Sequence, residues 1–213
     1  MDPKLLNLID TAIQREEDAY AFYRGLHARV QDPAAREAIE RLGRLLAGEG
    51  YALTVKPDGT TLAMKRGHSA GIFLPYTDFI FLHDLDDGFA PNAREFEEQH
   101  QRNRAEGEGH MRVPRPLRYR VPNSVTVGVT ARPASEELKA VAAEKRNLRA
   151  NTGEKNSVYL VDLSAGKFYS QGLEVDRFSR YGGEWSPSVN PSNRVARMLA
   201  AVLAEAFPEA TAW

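Results

Sequence analysis

Leu5, Ile9, Ala12, Ala19, Tyr23, Leu26 and Val30 recur at helical steps, with Glu16 filling the gap between Ala12 and Ala19. Steps of three and four residues place side chains on one face of a helix. A carboxylate on an apolar face needs a metal, a cation or a hydrogen-bond donor beside it. Asp32-Pro33 then offers an N-cap and a first helical residue, and Ala35, Ala38, Leu42, Leu45 and Glu49 carry a second stripe. The short break at Gln31-Asp32 makes the pair an antiparallel hairpin. At about 1.5 Å of rise per residue, Glu16 and Glu49 lie roughly 23 and 26 Å from the turn, within about one helical turn of each other.

Beyond Gly48 and Gly50 the period becomes extended. Tyr51–Lys56 and Thr61–Arg66 flank the turn cluster Pro57-Asp58-Gly59-Thr60 and predict a β-hairpin. Strands follow at Gly71–Pro75 and Asp78–His83, the latter with an unbroken apolar run from Phe79 to Leu82. From Pro91 to His110 the chain is polar around a single large apolar residue, Phe96, which suits an exposed helix ended by Gly107 and Gly109. Pro114 and Pro116 mark an extended connector. Ser124–Thr130 reads as a strand, Ser135 as the cap of a helix, and Ser157–Leu163 with Lys167–Ser170 as a second hairpin. Asn190-Pro191 opens the last helix, whose stripe of Val195, Met198, Leu199, Val202, Leu203 and Phe207 is strongly amphipathic.

The elements predict an α+β fold: an N-terminal antiparallel helical hairpin (1–49) and an α+β domain (50–213). The sheet is expected to be mainly antiparallel, with about seven strands, one face covered by helices near 135–149 and 191–206, the second being the amphipathic C-terminal helix.

The run Glu16-Glu17-Asp18-Ala19-Tyr20-Ala21-Phe22-Tyr23, with Asp32-Pro33-Ala34-Ala35-Arg36, resembles the first helical hairpin of rubrerythrin and related ferritin-like proteins. The resemblance implies a carboxylate-bridged di-iron site holding Glu16 and Glu49. This chain departs from the pattern where the family carries Glu-x-x-His, because it reads Glu49-Gly50-Tyr51-Ala52, and no later segment supplies a second helical pair. A purely structural alternative pairs Glu16 with Arg44 or Arg41 across the hairpin. No cofactor is expected.

Composition narrows the classes. Among 213 residues, 42% are apolar and 27% charged, as in an ordinary globular chain. Lys and Arg number 28 against 29 Asp and Glu, a balance that argues against nucleic acid or an anionic membrane as a partner. No cysteine is present, which removes disulfides, thiolate catalysis and Cys-based zinc sites. The start Met1-Asp2-Pro3-Lys4 does not read as a secretory signal and no stretch is apolar enough to span a membrane, so a cytoplasmic location is expected.

Four further groupings carry candidate chemistry. His83-Asp84-Leu85-Asp86-Asp87-Gly88 gathers metal-type ligands at a strand end, to which His100 and His110 could add in a mixed site of no standard ligand spacing, and an acidic turn explains the same residues. Pro57-Asp58 with Ala63-Met64-Lys65 is similar to the Pro-Asp…(Asp/Glu)-x-Lys arrangement of restriction-type nucleases, but Ala63 replaces the second carboxylate. The basic run Arg112, Arg115, Arg118, Tyr119, Arg120 follows five acidic residues that weaken its field. Arg180, Trp185, Ser192, Asn193 and Arg194 surround the start of the last helix, where free amides favour a small anion. Taken together the residues point to a non-catalytic cytoplasmic module acting through self-association or a protein partner. The alternative is a metal-dependent enzyme built on Glu16 and Glu49 or on the His83 cluster.

Overall fold

The computed structural model describes residues 33–68, 75–86, 92–111, 121–144, 155–170 and 191–206. Glu16 and the rest of the first predicted helix, Arg180 and Trp185 lie outside the described residues. The elements run α1 (Pro33–Gly48), β1 (Ala52–Val55), β2 (Thr61–His68), β3 (Pro75–Asp84), α2 (Ala93–Gly109), β4 (Val121–Thr130), α3 (Glu136–Ala143), β5 (Lys155–Asp162), β6 (Lys167–Ser170) and α4 (Pro191–Ala206).

Local chemistry explains most boundaries. Asp58 accepts from the Thr60 amide at 3.0 Å and Gly59 turns at φ 83°, which closes the β1–β2 hairpin. Gly166, at φ 61°, does the same between β5 and β6. Asn92 caps α2 by accepting from the Glu95 amide at 2.8 Å, and Ser135 caps α3 by accepting from Leu138 at 3.2 Å.

The strands form one six-stranded sheet in the order β1-β2-β3-β4-β5-β6. The pairings β1–β2, β2–β3 and β5–β6 are antiparallel, whereas β3–β4 and β4–β5 are parallel. This corrects the expectation of a mainly antiparallel sheet with helices on one face: the sheet is mixed, within an α+β protein. The physical reason is the connections, since parallel neighbours need a crossover element. α2 joins β3 to β4 and α3 joins β4 to β5.

Two helical layers result. α1 and α4 share an apolar cluster with Ile80, Leu82, Val125, Val127 and Tyr159. The alternate residues point the other way, where Val158 and Leu160 meet Leu138 of α3 and Phe96 of α2, and Phe79 and Phe81 meet Met111. Leu42, 1% exposed, packs in the first of these clusters, so the inner stripe of α1 is committed to the sheet.

Gly128 of β4 lies close under Phe96 of α2. A Cβ there would sit 2.7 Å from Leu85 Cδ1 and 2.7 Å from Phe96 Cε2. Gly128→Ala is expected to destabilise the protein by about 1–3 kcal/mol through overpacking. An unchanged urea midpoint would mean that Phe96 can withdraw without loss.

Candidate functional site

Charged groups buried in a sheet protein are either structural clamps or parts of a site, and their hydrogen bonds tell which. One such cluster spans the start of β3. Strand register sets Lys65, Asp78 and Asn123 side by side across β2, β3 and β4. Asp78 is fully buried. Its Oδ1 accepts from Asn123 Nδ2 at 2.8 Å and its Oδ2 from the Tyr51 hydroxyl at 3.0 Å. Arg194, in the first turn of α4, donates to Tyr51 at 3.2 Å, hydrogen-bonds Tyr76, and approaches Asp78 to 4.0 Å. Burial raises the Asp78 carboxyl above its ordinary range against the pull of Asn123, Tyr51 and Arg194. Burial also raises the Tyr51 phenol, helped by the Asp78 charge. Lys65 Nζ lies 5.4 Å from the Tyr51 ring centre and donates to the Glu49 carbonyl. The sequence singled out Arg194 for an outside anion; the fold turns its guanidinium inward. Ser192 and Asn193 occupy the same first turn. Glu49 is exposed just past α1.

A second cluster lies under α2. His83 Nε2 accepts from Asn103 Nδ2 at 2.8 Å, so the neutral ring carries its proton on Nδ1 and donates to Thr60 Oγ1 at 3.2 Å. Asn103 also donates to Thr126 Oγ1 at 3.0 Å, and His100 Nδ1 meets the same hydroxyl at 2.9 Å. Gln99 holds the Asn103 carbonyl oxygen at 3.2 Å. Burial pushes the His83 pKa down to about 4, against the nearby Asp58 charge and with help from Lys56. Sequence reading set His100 beside His83 only as a candidate metal ligand and missed Asn103, because both look like surface residues of a polar helix. Their spacing with Phe96 and Gly107 was the available signal.

The carboxylates at the strand ends diverge from His83. Asp84 accepts from the Asp86 amide at 2.9 Å. Asp86 is held by Thr130 Oγ1 at 2.8 Å, and Asp162 by the Ala134 amide at 2.9 Å and Ser164 Oγ at 2.6 Å. They fasten their own turns. Among the described residues no group of three or more His, Cys, Asp or Glu side chains is placed to hold a metal ion. Ala63, opposite Leu53, is buried and apolar, so the nuclease-like spacing brings no second carboxylate to Asp58.

Among the described residues, two surfaces stand out as open. At the sheet edge, all four residues of β1 are exposed, with Leu53 at 41% and Val55 at 72%. On the other flank of α1, a groove of about 580 Å³ separates it from α4, lined by Ala34, Ala38, Leu163 and Val202 with Arg41 and Arg44 at its rim. No helix among the described residues is long and apolar enough to cross a membrane. No family model, curated protein or solved structure matches the chain.

Proposed function

We propose that this chain is a non-catalytic binding module that self-associates by pairing β1 of one copy with β1 of a second. The carrying observation is the edge strand itself: among the described residues, Ala52-Leu53-Thr54-Val55 pairs with β2 on one side only, and it is exposed throughout. It holds no charge and no proline within its span, the devices that ordinarily keep an edge from pairing. Antiparallel pairing requires facing residues to share a side of the sheet, so the two-fold passes through a residue, and the register proposed centres it on Thr54, which sets the two apolar residues Leu53 and Val55 opposite each other. Leu53 then meets Val55 of the second copy, Val55 meets Leu53 of the second copy, and Thr54 meets its own equivalent. Apolar cross-strand pairs and Thr–Thr pairs of this kind contribute roughly 0.2–1 kcal/mol each beyond Ala–Ala; two-fold symmetry doubles the Leu53–Val55 pair, and the Thr54 pair on the axis counts once.

The internal chemistry supports a module without catalysis. Asp78, His83, Asp86 and Asp162 are each held by neighbours within the fold. The proposal includes a cytoplasmic setting, with which a chain lacking cysteine is compatible.

Sedimentation velocity over a range of protein concentrations tests it. The full chain should show a reversible monomer–dimer equilibrium, and Val55→Lys, which places an ammonium beside the two-fold on each copy, should weaken it at least about tenfold. A monomer at every concentration, or a dimer indifferent to Val55→Lys, would end this reading.

A further inference from the structure

Two permanent charges bracket the polar cluster under α2, and each fixes the direction of the hydrogen bonds between them. At one end stands Arg102, exposed on the outer side of α2. A guanidinium only donates, and Arg102 donates to Gln99 Oε1 through Nε at 3.1 Å and through Nη2. The amide oxygen of Gln99 is thereby taken, and its nitrogen is turned to Asn103 Oδ1 at 3.2 Å. That contact leaves Asn103 Nδ2, with its two hydrogens, facing His83 Nε2 and Thr126 Oγ1. His83 Nε2 must therefore accept, and the ring hydrogen sits on Nδ1, against Thr60 Oγ1.

The same direction follows from the opposite end. Asp58, exposed in the β1–β2 turn, only accepts as a carboxylate. It takes the Thr60 amide and also the Thr60 side-chain hydroxyl. A hydroxyl that has given its hydrogen to Asp58 can only accept from His83. Every bond from Arg102 to Asp58 thus points one way, through Gln99, Asn103, His83 and Thr60. The other titratable groups near the ring leave this chain intact: Lys56 is paired with Glu106 of α2, and His100 meets Thr126 on the side branch.

We propose that this chain of hydrogen bonds is a two-state conformational switch, with its direction set by Arg102 at the surface of α2 and by Asp58 in the β1–β2 turn. In the reversed state both amides turn over, Nε2 carries the ring hydrogen and donates to Asn103 Oδ1, and Thr60 turns its hydroxyl from Asp58 to Nδ1. The ring exchanges one N–H for the other, so its proton count is unchanged. Asn103 and His83 turn together, because a change in either alone would oppose two donors or two acceptors. A change of charge on the outer side of α2 is thereby felt in the turn that closes the hairpin carrying β1. The switch stands apart from the self-association reading, since none of its members lies in β1.

Nitrogen-15 spectra of the His83 ring at about pH 8, where an ordinary imidazole is neutral, distinguish the two directions. In the parent the hydrogen should be on Nδ1. The double variant Arg102→Glu, Asp58→Asn exchanges the ends, because Glu can only accept from Gln99 and Asn can donate as well as accept. Both positions are exposed and Asn suits a turn, so the fold is retained. The ring hydrogen should then move to Nε2 in most molecules. The two neutral tautomers carry the same charge, so the exchange reads the direction of the bonds rather than the field of the altered residues. Hydrogen on Nε2 in the parent, or an unmoved Nδ1–H in the double variant, would overturn the proposal.

Discussion

Replacing Arg194 with methionine should destabilise the protein by about 3 to 5 kcal/mol, because it leaves a buried carboxylate without its cation. Asp78 is fully buried and keeps Asn123 and Tyr51 as neutral hydrogen-bond partners once the guanidinium is gone, with the charge of Lys65 beside it only a weaker influence. The loss should depend on pH in a defined sense. Burial already raises the folded pKa of Asp78 above its unfolded value, and removing Arg194 raises it further. A group with a raised folded pKa favours the folded state below its unfolded pKa and stops doing so as pH rises through the folded value. The gap between Arg194→Met and the parent should therefore shrink as pH falls through the two raised folded values and be smallest by about pH 4, near the ordinary Asp pKa. Combining Arg194→Met with Asp78→Asn should recover part of the loss at neutral pH, since the unpaired charge is gone. Chemical denaturation of the parent and the two variants decides: a deficit under about 1 kcal/mol, or no recovery in the double variant, would show that the cluster does not clamp α4 to the sheet.

Acid should weaken the fold through His83. Its folded pKa of about 4 stands below the ordinary value of 6.5, so the unfolded chain binds the extra proton first. The stabilising effect of the neutral ring is complete above the unfolded value and is lost as pH falls from about 6.5 toward 4, by about 3 kcal/mol in all. The surroundings explain why the ring stays neutral: it is buried, and Nε2 faces the Asn103 amide nitrogen, so a second proton there requires that amide to turn over and leave Gln99. His83→Gln keeps a neutral polar side chain and should flatten this segment of the stability profile. Parent and variant falling in parallel between pH 6.5 and 4 would locate the acid sensitivity elsewhere.

Much of the chain's order of elements was legible because local chemistry marks it. Pro57-Asp58-Gly59-Thr60 is a hairpin turn in the fold as in the sequence, the apolar run Phe79–Leu82 is the buried centre of β3, and Pro191 opens α4. Strand direction was not legible, and α2 shows why. Its buried face is Phe96, His100, Asn103 and Gly107, of which only the first is apolar. Hydrophobic periodicity scored it as a surface helix, whereas it is the crossover that makes β3 and β4 parallel. Gly107 looked like a stop and is a contact: a Cβ there would lie 3.0 Å from Ser124 Oγ and 3.2 Å from Phe79 Cδ2. The polar clusters were equally hidden, because they depend on register between distant strands. Asp78 meets Asn123 and Tyr51 only after β1, β2, β3 and β4 align, and nothing local to any of these residues announces it. Arg194 was found for its place at a helix start, but its direction is a tertiary fact.

In the proposed dimer the two-fold passes through Thr54 of an exposed edge strand. In a chain without cysteine, Thr54→Cys places a thiol directly opposite its own equivalent, at the Cα separation of about 4.5–5.5 Å that a disulfide spans. Ala52→Cys, two residues along the same strand, has no thiol facing it. Under mild oxidation the account predicts rapid formation of a covalent dimer by Thr54→Cys and little by Ala52→Cys; equal rates for the two, or a monomer in both, would contradict it.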